Sequence, residues 1–152
     1  MCHPQGVVPA ARALTPETLG AWLVKASGAE PSTGQHVRTG FADVEAWCAR
    51  PTYRTTLVAP GQPVLLWVSG TRAEHPAGIH ACGRTTAPAA DGTMPMRLLP
   101  LREPLLRSEL GGHPELSSLE VLRMPAGSNP SFVTPAQLAL LAAMNDELAD
   151  LV

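Results

Sequence analysis

Lysine is almost missing from this chain of 152 residues: Lys25 is the only one, and the rest of the positive charge is arginine. With 11 basic against 13 acidic side chains the net charge is −2. A protein that lives by neutralising a run of phosphates needs a basic face, because its affinity scales with the number of phosphates it meets. Any role in nucleic-acid binding therefore rests on a small local site. Cysteine is scarce as well. Cys2, Cys48 and Cys82 are odd in number and far apart, which excludes a disulfide framework and points to a reducing, cytoplasmic setting. No apolar run approaches the roughly 18 residues of a membrane span, and the first residues, MCHPQGVVPAARALT, lack the charged start and apolar run of a signal peptide.

Catalytic and metal signatures are equally thin. There is no G-x-x-x-x-G-K, no G-x-G-x-x-G and no G-x-S-x-G, so phosphate cradles and the serine elbow are not expected. His80 and Cys82 share a strand face, yet zinc sites bring paired ligands from both sides; we expect no metal and no cofactor. Cys48 with His80 as a thiolate pair, or Ser69 as a nucleophile, stands on equally little.

What is present is turn chemistry and short apolar runs. Proline (16) and glycine (13) are abundant, which suits short strands joined by many turns in a single domain. Residues 1–14 read as a tail and residues 15–152 as the domain. Thr15-Pro16 starts a helical turn. AWLVKAS (Ala21 to Ser27) reads as a strand, GAEPSTGQ as a loop, and Asp43 to Cys48 as a helical turn. After the turn PGQP come VLLWVSG, apolar on both faces, and the alternating GIHACGRTT, where Gly83 permits a bulge or a close backbone approach. MPMRLLPLRE is strand-like, with Pro95 and Pro100 marking an edge or an irregular path. PLLRSEL reads as a helical turn and SLEVLR as a short strand. Thr134-Pro135-Ala136-Gln137 is a capping box that opens a final helix with a stripe of Leu138, Leu141, Met144 or Asn145, and Leu148. The sum is an α+β fold: a small curled mixed sheet or pseudo-barrel flanked by short helices, with a helix at the C-terminal end.

Aromatic residues are few: Trp22, Phe41, Trp47, Tyr53, Trp67 and Phe132. Three of them fall between Trp47 and Trp67, in and beside the weakly patterned middle. A flat nucleobase is held by stacking, worth about 1–3 kcal/mol per base, and its edge is read by groups such as Ser69, Asn129 or Asp43. Each tryptophan suits either a core or a cage.

WLVKAS, the order WCARPTYRTTL, PGQPVLLWVSG, GIHACGRTT, and the late GSNPSFVTPAQ resemble the EVE domain family, a PUA-like branch related to YTH and ASCH domains. The resemblance runs from about Trp22 to Leu141. It implies a PUA-like pocket that takes one flipped, modified base of DNA or RNA without catalysis. Carried onto this chain, Trp47 and Trp67 are the aromatic walls, with Tyr53 beside them. Ser69 and Gly70 meet the base edge, Asn129 and Phe132 close one side, and Arg54 and Arg50 meet a flanking phosphate. The related ASCH proteins imply a second reading, an amidohydrolase acting on a modified nucleoside with Lys25 as base; Glu45 and Glu74, both in segments without strand pattern, are the only glutamates near the middle of the chain. A third is an interaction module without a small ligand.

Overall fold

A computed structural model describes residues 13–152. Six strands form one mixed sheet in the order β2-β5-β4-β3-β1-β6: β1 (Ala21–Ser27), β2 (Ala46–Cys48), β3 (Pro63–Ser69), β4 (Gly78–Thr85), β5 (Thr93–Leu106) and β6 (Ser131–Val133). Only β1 and β3 run parallel. Among the described residues four helices accompany them: α1 (Pro31–Arg38), α2 (Arg107–Gly111), α3 (Glu120–Arg123) and α4 (Pro135–Met144), with short 3₁₀ turns at Tyr53–Leu57, Leu116–Ser118 and Asp146–Leu151. The fold is α+β, as the sequence implies.

The apolar runs explain the centre of the sheet. A strand buried on both faces reads as a continuous hydrophobic run, and both β1 and β3 do. Trp22, Val24 and Ala26 of β1 and Val64, Leu66 and Val68 of β3 face the inside of the curl, among Phe41, Val44, Met94 and Met96. Ala21, Leu23, Leu65 and Trp67 face the opposite side, beneath Leu110, Leu116, Leu119, Leu138, Leu141 and Leu148 of the helical layer. Thr134 caps α4 as expected: its hydroxyl accepts from the Gln137 amide at 3.2 Å, and Gln137 accepts from the Thr134 amide at 2.9 Å.

The curl brings the two edge strands together. Just past β2 the Arg50 amide donates to the Asn129 carbonyl at 3.0 Å, just ahead of β6. The closure is made by single hydrogen bonds rather than by a ladder.

Several local expectations change. GAEPSTGQ is largely α1, a helix of which Thr33 is the one buried residue. Asp43 to Cys48 ends in the strand β2 rather than a helical turn, and SLEVLR ends in α3 rather than forming a strand. Pro104 to Leu106 still belongs to β5, so helix α2 begins only at Arg107. Pro95 and Pro100 sit inside β5, yet each lies where β5 lacks one neighbour. Pro95 pairs with Ala46 beyond the last β4 pair, and Pro100 pairs with Ala81 beyond the end of β2. The missing N–H is not needed at Pro100, while the Pro95 carbonyl still accepts from the Thr86 amide at 3.0 Å. Gly83 is a close approach: a Cβ there would fall on the Arg97 carbonyl. Leu14, assigned to the tail, is buried, and its amide donates to the Tyr53 hydroxyl at 3.0 Å; Ala13 is exposed, and residues 1–12 of that tail lie outside the described residues. Among the described residues no helix is long and apolar enough to cross a membrane, and no three His, Cys, Asp or Glu side chains gather as a metal site.

Candidate functional site

β6 pairs with β1 only from Ala21 to Leu23. Beyond that point Pro130 has no N–H to offer, and the outer edge of β1 would lie bare at Lys25. The Asn129 side chain fills the gap. Its Oδ1 accepts from the Lys25 amide at 2.8 Å and its Nδ2 donates to the Lys25 carbonyl at 3.2 Å. The Trp47 indole N–H, arriving from β2 across the seam, donates to the same carbonyl at 3.3 Å. Two side chains, Asn129 and Trp47, thus hold a seam open through three hydrogen bonds where a strand ladder would have shut it.

Two cavities flank the Lys25 side chain, which lines both. One, of about 360 Å³, lies between the end of β1, α1 and β2, and is bounded by Ser27, Thr33, His36, Asp43 and Trp47. Clefts of this order take small flat ligands. Helix α1 is pinned there by Thr33, whose buried hydroxyl donates to the Ser27 carbonyl at 2.6 Å. His36 and Trp47 meet with ring centroids 5.5 Å apart, tilted by 55° rather than stacked. His36 Nδ1 lies 2.8 Å from Asp43 Oδ2, and the Thr39 hydroxyl donates to Asp43 Oδ1 at 2.7 Å. The Thr39 hydrogen bond holds the Asp43 carboxyl below the usual aspartate range; burial opposes the fall, and His36 adds to it.

The other cavity, about 350 Å³, is lined by Tyr53, Arg54, Glu120, Gly127 and Asn129. The Lys25 ammonium donates to the Gly127 carbonyl at 2.6 Å. Burial pushes this lysine below its ordinary pKa; Glu120 opposes the fall and Arg54 adds to it. Arg54 and Glu120 form a two-pronged pair, both N···O distances 2.7 Å. The Ser131 hydroxyl donates to Glu120 at 2.6 Å, and Arg54 also donates to the Pro130 carbonyl and sits 5.1 Å over the Phe132 ring. Burial would raise the Glu120 pKa, but hydrogen bonds from Arg54 and Ser131 outweigh it and leave the carboxyl below its usual range. A wider groove of about 740 Å³ continues past Tyr53, Arg54 and Phe132 to Arg123.

The expected residues are therefore divided. Trp47 lines the cavity beside α1; Tyr53, Arg54 and Asn129 line the next one, and Phe132 the groove beyond. Trp67 is not a wall of any of these: it is 3% exposed and lies under the helical layer, because the alternation of β3 turns it away from the curl. Ser69 spends its hydroxyl on the Ala26 carbonyl at 3.3 Å. Gly70 is exposed at a separate cavity of about 590 Å³ beside Pro76 and Arg107. Asn129 acts through the backbone of Lys25 rather than as a free edge reader. Arg54 is committed to Glu120, which removes it as a free phosphate contact, and Arg50 is exposed at the seam. Glu45 and Glu74 line neither Lys25 cavity; the acids that do are Glu30 and Asp43 in one and Glu120, already paired, in the other. His36 and Thr33 escaped the sequence reading because α1 carries no apolar periodicity that would have announced a helix.

No family model matches this chain, and no curated protein does. Solved structures do. A protein of Rhodopseudomonas palustris solved by NMR shares 21% identity over 84% of this chain and 94% of its own, with a TM-score of 0.62. A hypothetical protein of Leishmania major shares 16% over 88% and 98%, with a TM-score of 0.67, and a Pseudomonas putida protein 18% over 82% and 98%, at 0.59. The likeness is one of fold. Nearly the whole length of each of these proteins is spanned, so the curled sheet and its helical layer recur as one unit.

Proposed function

We propose that this protein is a cytoplasmic reader that holds one unstacked, modified nucleobase of DNA or RNA in the cavity beside Trp47, without chemical conversion. The observation that supports the reading is the seam itself. It presents a half-buried indole, with a ring nitrogen and hydroxyls around one cleft of about 360 Å³. An aromatic face supplies sequence-tolerant stacking, and the polar rim supplies discrimination. The likeness to EVE domains supports the same reading from the side of the sequence, with Trp47 and His36 now forming the walls that were expected of Trp47 and Trp67. A net charge of −2 goes with weak binding to plain duplex at physiological salt.

Trp22 and Trp67 are buried while Trp47 is only half-buried, so indole fluorescence reports mainly on this cavity. Titration with single-stranded oligonucleotides carrying 5-methylcytosine, 5-hydroxymethylcytosine or N6-methyladenine is expected to quench it in a modification-dependent way. Loss of one stacking partner is worth about 1–3 kcal/mol, so Trp47→Ala weakens binding by roughly 5- to 150-fold. Affinity unchanged in Trp47→Ala, or no response to any base, removes the reading. A second reading draws on the burial of Lys25, the amidohydrolase in which it serves as base; turnover of an acylated cytidine, abolished in Lys25→Ala, selects it.

A further inference from the structure

The His36–Asp43 pair is a feature that stacking does not use. A carboxylate only accepts hydrogen bonds, so the Nδ1 that lies 2.8 Å from Asp43 carries the ring proton. In its neutral form the imidazole then has one remaining polar atom, Nε2, and that atom is an acceptor. Among the described residues it has no hydrogen-bond partner; the only ring contact of His36 of this kind is the one to Asp43. The ring lines the same cavity as Trp47 and stands tilted beside it rather than stacked on it.

We propose that His36 reads the edge of the base bound beside Trp47, selecting bases whose exocyclic amino group donates to Nε2, with Asp43 as the positioning residue that fixes the tautomer. The inference rests on the base-binding reading above and adds its substrate class: cytosine- and adenine-type bases are taken, and their oxo counterparts are disfavoured. 5-Methylcytosine and N6-methyladenine remain within the class, since each keeps at least one amino N–H. In thymine and hypoxanthine a carbonyl oxygen replaces the amino group, and two acceptors face each other. Glu30 also lines the cavity as an acceptor, but it is exposed and no partner fixes its carboxylate. His36 is held on its other side by a carboxylate that Thr39 in turn anchors.

Matched oligonucleotides test this directly. 5-Methylcytosine and thymine differ only in the amino or oxo group at position 4 and the proton at N3; adenine and hypoxanthine form a purine pair. Single strands carrying one such base at the centre, fluorescently labelled at an end, are titrated by polarisation against the full chain. The amino member of at least one pair is expected to bind about threefold to tenfold more tightly, the scale of one neutral hydrogen bond. In His36→Ala loss of a wall lowers both arms, but the preference collapses because the amino arm, which also loses its acceptor, falls further. Asp43→Asn, which lets the ring adopt either tautomer, narrows it. General damage to the cavity lowers both arms together and leaves their ratio in place, so the ratio separates recognition from structure. Binding that depends on Trp47 but shows no amino preference, or a preference that survives His36→Ala, overturns the role of His36 alone. No binding of any strand, or binding indifferent to Trp47→Ala, overturns the base-binding reading and the role of His36 with it.

Discussion

Replacing Glu120 by glutamine probes the anchor of the seam. The pair with Arg54 ties the 3₁₀ turn after β2 to the start of α3, and through Ser131 and Pro130 to β6. Exposed ion pairs contribute about 0.2–1 kcal/mol, whereas removing one partner of a buried pair costs about 3–5 kcal/mol. The two side chains are 21% and 16% exposed, between those limits. Glutamine keeps the volume and one acceptor but loses the charge and the second acceptor, so we expect a loss of about 2 kcal/mol at pH 7. For a chain of this size that corresponds to a fall of about 4–8 °C in melting temperature. The loss should depend on pH. Folding depresses the Glu120 pKa, so the stabilisation is complete above the ordinary glutamate value of about 4.3 and fades as the pH falls through the lower, folded value. Urea melts of both proteins at pH 7 and pH 3 measure this. A loss below about 1 kcal/mol at pH 7, or a gap between the two proteins equally wide at pH 3, refutes the reasoning.

Three further outcomes follow from named contacts. Trp67→Ala empties a site under the helical layer and should cost about 3–5 kcal/mol in urea melts, whereas Trp67→Phe should fold and bind oligonucleotides within about twofold of the parent, since van der Waals contact and not recognition is what the indole supplies there. Gly83→Ala drives a methyl into the Arg97 carbonyl and should destabilise by about 1–3 kcal/mol or more, a change read as an earlier melting midpoint; a neutral result means the β4–β5 ladder yields easily. Asn129→Ala leaves the Lys25 amide without its acceptor, at about 1–3 kcal/mol, and should accelerate hydrogen exchange at that amide ahead of its neighbours in β1.

The parts of the fold that were legible in the sequence are those with a strong local signature. β1 and β3 declare themselves by apolar residues on both faces, and α4 by its capping box. The alternation of β3 also separates Leu66 and Val68 from Trp67. It cannot say that Leu110, Leu116 and Leu141, distant in sequence, will cover the tryptophan. That was the origin of the misplaced wall. α1 is hidden for the opposite reason: a helix that buries only Thr33 has no stripe to read. SLEVLR is misread because so short an apolar segment fits a strand or a helix equally, and long-range packing of Val121 decides. Of the site, the aromatic and amide participants Trp47, Tyr53, Asn129 and Phe132 were visible as residue types. Their division among neighbouring cavities was not, nor was the commitment of Arg54 to Glu120, sixty-six positions away.

The solitary lysine between the two cavities also governs how this protein can be handled. Besides the chain's own amino terminus, every amine-directed reagent has one address, and that address is the cleft. A dye ester, an amine-coupled sensor surface or a lysine cross-linker would occupy the opening it was meant to observe. Immobilisation through a terminal tag leaves the seam free, whereas a thiol reagent would also meet Cys48, which is exposed and lines the same cleft.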